Sequence, residues 1–114
     1  MSEKFKDLIS SNQPTLVDFY ATWCGPCQRM HPILEEVKAR VGDKARIIKI
    51  DVDQNQALSS AYQIQSVPTL MLFKGGQMLW RKPGIQSATS LVSSIEEALW
   101  IPSENTLAGS LRQL

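Results

Sequence analysis

The only two cysteines of this 114-residue chain stand three positions apart in Trp23-Cys24-Gly25-Pro26-Cys27, directly after the apolar run Leu16-Val17-Asp18-Phe19-Tyr20. The run is short, branched and aromatic, as in a buried strand. Gly-Pro between the cysteines suits the first turn of a helix, where a missing N–H costs nothing. The pair therefore marks a strand-to-helix corner. The helix leaving it must cross back to a second strand, which the handedness of such crossovers makes parallel to the first.

The rest of the chain supplies the parts for that arrangement. Met30, Ile33, Leu34, Val37 and Val41 recur at helical spacing until Gly42 supplies a stop, with a bend expected at Pro32. Arg46 to Val52 reads as the second strand. Asp53-Gln54-Asn55 precedes a helix with Leu58, Ala61 and Tyr62 on one face, and is expected to cap it. Thr69 to Phe73 and Met78 to Arg81 flank Lys74-Gly75-Gly76-Gln77, a hairpin signal. Ser87 caps a last helix carrying Leu91, Val92, Ile95 and Leu99, and Pro102 stops it; Phe5, Leu8 and Ile9 suggest a short opening helix. This order predicts an α/β fold whose central mixed sheet, of about four strands, is flanked by helices on both faces. The expected organisation is one domain over residues 1–102 and an extension over 103–114, where Leu107, Leu111 and Leu114 share a helical face.

Composition narrows the function classes. The formal net charge is +1, so no charge imbalance argues for nucleic acid or an anionic membrane as partner. No stretch approaches the roughly 18 consecutive apolar residues of a membrane helix, and the opening residues carry acids where a leader would be apolar. A cytoplasmic location is expected. Both cysteines lie in one motif and none remains for a disulfide framework, which fits a reducing compartment.

Two thiols at such a corner read as a redox pair. At a helix N-terminus, Cys24 has free backbone N–H groups and the positive end of the dipole to stabilise its thiolate, so it is the expected attacking thiol. Cys27, one turn further in, is the expected resolving thiol. A zinc site is disfavoured, because the single histidine, His31, lies four residues past Cys27 on the same helix. Asp18 interrupts an apolar strand: it is either a buried acid with a raised pKa, suited to moving a proton, or an exposed acid on a half-open strand. Lys49, in the neighbouring strand, reaches it if the two are in register. Pro68 enters a strand, and sequence alone leaves the Val67-Pro68 bond open between cis and trans.

The segment from Asp18 to Cys27 closely resembles the active-site segment of thioredoxins. Pro32, Lys49-Ile50-Asp51-Val52-Asp53, Val67-Pro68-Thr69, Phe73-Lys74-Gly75-Gly76 and Gly84 fall where that family has matching residues, so the resemblance spans about Leu16 to Leu99. It implies a thioredoxin fold and a protein-disulfide reductase that binds no cofactor. An NADPH-linked thioredoxin reductase would supply its electrons and disulfide-containing proteins would receive them, with the protein acting as a monomer. It further implies Cys24 as nucleophile, Cys27 as resolving thiol, Asp18 as buried acid paired with Lys49, and Pro68 as a cis-proline beside the disulfide. The expected substrate groove uses Trp23, Gly25, Pro26, Val67, Pro68 and Gly84, with Ile85 beside them. Relative to the family, the strand that normally precedes the first helix is expected to be missing, leaving the Arg46 to Val52 strand as a sheet edge that the 103–114 tail would help cover. His31 is expected at the surface, and Trp80 and Trp100 in packing roles. Two other functions fit the same motif: a dedicated electron donor to one partner, and a scaffold that uses this surface without redox turnover.

Overall fold

Thr15–Tyr20 (β1) alternates its side chains between two apolar layers, which requires a place in the middle of a sheet. In the computed structural model, which describes residues 3–102, β1 is flanked by Arg46–Asp51 (β2) and Thr69–Lys74 (β3), with Gln77–Pro83 (β4) outside β3. The strand order is β2-β1-β3-β4. β1 and β2 are parallel, with Asp18 opposite Lys49, and the β1–β3 and β3–β4 pairs are antiparallel. Among the described residues β2 is one edge of the sheet, as expected. The proposed cover for it, the 103–114 tail, lies outside them.

The helices are Glu3–Ile9 (α1), Gly25–Val41 (α2), Gln56–Ala61 (α3) and Ala88–Ala98 (α4). One sheet face carries Leu16, Leu70 and Leu72 against Met30, Leu34 and Val37 of α2 and Leu91 and Ile95 of α4. The other carries Val17, Phe19, Met71 and Phe73 against Phe5 and Ile9 of α1 and Leu58 of α3. Each large side chain buried this way contributes about 1.5–3 kcal/mol. Because both faces of β1 are covered, its first five residues are all buried, Asp18 with them. That settles the open question about Asp18: it is the buried acid.

Local chemistry fixes the ends. Gly75 and Gly76, at φ +61° and +83°, form the two-residue hairpin loop between β3 and β4. Ser87 caps α4, its hydroxyl accepting from the Ser90 amide at 3.1 Å. α2 ends at Gly42 with φ +57°, and its helical assignment runs through Pro32 without a break. Asn55 departs from expectation. It stands at the N-cap of α3 without capping it, because its side-chain amide donates instead to the Asp51 carbonyl at 2.9 Å. Among the described residues no helix is long and apolar enough to cross a membrane.

Candidate active site

Cys24 is the N-cap of α2, with an extended backbone at φ −91° and ψ 119°, and its sulfur accepts from the Cys27 amide at 3.2 Å. An amide aimed at the sulfur and the positive end of a 17-residue helix both stabilise negative charge there. The two cysteines are joined as a disulfide, with Cα atoms 5.2 Å apart. Cys24 is 6% exposed and Cys27 0%, so an incoming sulfur reaches Cys24 first. Pro26, in the first turn, has no N–H to lose. At Gly25 φ is not positive and an added Cβ would meet nothing within 4 Å, so the backbone does not demand glycine there.

The loop before β3 comes up beside the disulfide. Val67-Pro68 is cis, which decides the alternative that sequence left open, and the Cys24 sulfur lies 3.5 Å from the Val67 carbonyl oxygen. Thr69 Oγ1 donates to the Ser66 carbonyl at 2.7 Å, and the Gly84 amide donates to the Pro68 carbonyl at 2.8 Å. Gly84 takes φ +82°, a conformation that glycine adopts freely. Trp23 is 72% exposed and Ile85 41%. Between Trp23 and the cis-proline loop runs a groove of about 320 Å³, lined also by Val52, Ile64, Gln65, Ser66 and Val67.

Four of those groove residues, Val52, Ile64, Gln65 and Ser66, are absent from the sequence-derived site. Val52 directly follows β2, and the other three arrive through a turn at Gln63, which has φ +53°. The Arg81 guanidinium holds that turn by donating to the carbonyls of Tyr62, at 2.5 Å, and Gln63, at 2.8 Å. Nothing in local sequence links β4 to this turn.

Asp18 lies on the sheet face that α2 covers, and neither of its carboxylate oxygens has a hydrogen-bond partner. Burial raises its pKa from 3.8 to about 6, against the opposing pull of the Lys49 charge. The expected Asp18–Lys49 pair is not formed, although register sets the two side by side. The Lys49 ammonium instead donates to Nδ1 of His31 and lies over the Tyr20 ring, 5.1 Å from its centroid. His31 in turn packs edge-on against Tyr20 at 5.6 Å, so it is a half-buried member of a cluster and not a free surface residue. Tyr20 also packs against Ala21, Cys24 and Cys27, which joins this cluster to the disulfide.

The arrangement gathers Cys24, Trp23, Gly25, Pro26, Val67, Pro68 and Gly84 around the disulfide, with Cys27 buried behind Cys24 and Asp18 beneath α2. A disulfide approached through Cys24, the backbone of the cis-proline loop beside it and an unpaired buried carboxylate suit disulfide exchange with an extended peptide.

The family model described as Thioredoxin matches residues 1–97. A thioredoxin-like protein of Synechocystis sp. is 51% identical over 89 residues, covering 78% of this chain and 85% of that protein. A bifunctional thioredoxin reductase/thioredoxin of Mycobacterium leprae is 40% identical over 95 residues, covering 83% of this chain and 21% of that protein. Among solved structures, a single-residue variant of thioredoxin from Halobacterium salinarum NRC-1 superposes with a TM-score of 0.80 at 40% identity, covering 90% of this chain and 88% of that one.

Proposed function

We propose that this chain, which belongs to the thioredoxin family and is a thiol-disulfide oxidoreductase, works as a protein-disulfide reductase in which Cys24 attacks and Cys27 resolves. The observation that carries the order of attack is the asymmetry of the two sulfurs: Cys24 is the more exposed and is served by the Cys27 amide, whereas Cys27 is fully buried. In the reduced protein the Cys24 thiolate attacks one sulfur of a substrate disulfide. A Cys24–substrate disulfide forms and the other substrate sulfur leaves as thiolate. Cys27 then gives its proton to Asp18 and attacks the Cys24 sulfur. The mixed disulfide breaks, its electron pair leaves on the substrate sulfur that had been joined to Cys24, and the Cys24–Cys27 bond described above is the product. Two electrons have passed to the substrate.

The substrate peptide lies extended across Trp23, Gly25, Pro26, Val67, Pro68 and Gly84, with its backbone against the cis-proline loop. Thioredoxins work with thioredoxin reductases and disulfide-containing proteins; for this chain an NADPH-linked reductase is the proposed electron source. The fusion of the two activities in the Mycobacterium leprae relative supports that reading. A reducing compartment, the cytoplasm, is the proposed location, supported by a chain that keeps both of its cysteines in the site.

The test is trapping. Cys27→Ser, incubated with a disulfide-containing protein, accumulates a mixed disulfide at Cys24, and Cys24→Ser accumulates none. Equal trapping by the two variants would overturn the assignment. Retention of the biological role by the double serine variant would favour the scaffold reading instead.

A further inference from the structure

We infer that His31 is a positioning residue for this site, holding the Lys49 ammonium off the Asp18 carboxylate so that the buried acid keeps no ionic partner. The Lys49 side chain leaves β2 directly opposite Asp18 and on the same face, since residues in register on parallel strands point the same way. A lysine so placed has an obvious partner in a buried carboxylate with both oxygens unsatisfied. It is found elsewhere, donating to His31 Nδ1 across to α2 while its charge rests over the Tyr20 ring. A lysine ammonium has no lone pair to offer, so Nδ1 is the acceptor and the ring carries its proton on Nε2. Tyr20, packed edge-on to His31, fixes the ring in that orientation.

The charged and titratable groups around the contact are Asp18 and Tyr20 from β1, Lys49 from β2, and Glu35 and Lys38, which with His31 line a cavity of about 340 Å³ between α2 and β2. Lys38 is engaged with the Gly42 carbonyl at 3.1 Å. Glu35 is exposed, and an exposed ion pair contributes little. A Lys49 released by loss of His31 therefore gains more from the buried, unpartnered Asp18 than from Glu35. Burial and the Lys49 charge both act to keep His31 neutral, opposed by Glu35.

The consequence rests on the proposed role of Asp18 as acceptor of the Cys27 proton. A carboxylate beside an ammonium is a weaker base, so His31 would keep Asp18 basic enough to take a proton near neutrality, and the pH dependence of the resolving step would follow the Asp18 titration.

The experiment is a carbon-13 carboxyl titration of Asp18 in the oxidised full-length chain, for wild type, His31→Leu, His31→Asn and Lys49→Met. In His31→Leu the Asp18 midpoint falls from about 6 by roughly one pH unit or more, the effect of an opposite charge moving into contact. His31→Asn keeps it near the wild-type value, because the amide oxygen accepts where Nδ1 did. An unchanged or higher midpoint in His31→Leu overturns the inference. A second measurement does not depend on that variant folding: Lys49→Met raises the midpoint of His31 itself, and an identical His31 titration in wild type and Lys49→Met overturns the contact. Single-turnover resolution across pH separates the two levels. If Asp18 moves and the rate profile stays fixed, the base role of Asp18 fails while the positioning by His31 stands.

Discussion

The Trp23 indole N–H donates to the Asp53 carboxylate at 2.8 Å, tying a 72% exposed aromatic to the loop after β2. That loop is itself fixed, since Asp51 Oδ1 accepts from the amides of Asp53, at 2.9 Å, and Gln54, at 3.3 Å. Asp53 thereby decides where one wall of the groove stands. Asp53→Ala leaves stability within about 1 kcal/mol, because the bond is solvent-exposed. It frees the indole, so KM for a disulfide-containing protein rises several-fold while single-turnover resolution by Cys27 is unchanged. Steady-state kinetics beside a urea titration check both halves.

Asp18 makes the fold less stable at neutral pH, and the sign follows from linkage. Its carboxyl titrates at about 6 when folded and near 3.8 when unfolded. Between those values the folded state binds the extra proton, so its stability falls as pH rises from about 4 to about 6 and then levels off. Asp18→Asn removes this penalty. In the oxidised form the variant gains about 2–3 kcal/mol over wild type at pH 7.5, from roughly two pH units at 1.36 kcal/mol each, and close to nothing at pH 3.5. Urea unfolding at the two pH values measures the difference, and an equal gain at both would contradict a titrating Asp18.

The strand and helix order was legible because β1, α2 and the glycine hairpin each carry their own local signal. Asp18 was only half legible. Its burial depends on β1 being central, which the apolar run of Leu16, Val17, Phe19 and Tyr20 around it suggests and only the covered faces decide. The partners were not legible at all. Lys49 sits beside Asp18 in register, yet the choice between a carboxylate and a histidine acceptor depends on how α2 lies over β2. Trp23 and Asp53 are 30 residues apart, and Arg81 reaches back to Gln63 from another strand. Such contacts are properties of assembled elements, which periodicity and spacing do not encode.

Lys74 is a buried lysine that serves the end of α4. Its ammonium donates to the carbonyls of Ala98 at 2.7 Å, Leu99 at 3.3 Å and Ile101 at 2.5 Å, where the helix leaves acceptors unpaired and its dipole is negative. Lys74→Met keeps the apolar stem and removes the charge. It costs about 2 kcal/mol, the scale of charged hydrogen bonds lost at a partly hydrated helix end. Amide exchange quickens in the last turn of α4 and not in β1. Uniform loss of protection across the chain would point to a different cause.

Gly25 and Gly84 both belong to the expected substrate surface, and the structure predicts different responses to alanine. At Gly84 an added Cβ finds open space, so no clash is at issue, yet φ is +82° and the amide is committed to the Pro68 carbonyl. Alanine there either takes up left-handed strain of about 1–2 kcal/mol or shifts the loop that abuts Pro68. At Gly25 the space is equally open, φ is not positive, and the residue is the first of α2. Alanine there lowers backbone entropy in the unfolded chain and leaves stability unchanged or up to about 1 kcal/mol higher. The denaturant midpoint should therefore fall in Gly84→Ala and hold or rise in Gly25→Ala. A loss of stability in Gly25→Ala equal to that in Gly84→Ala would show that Gly25 meets a steric demand this backbone does not contain.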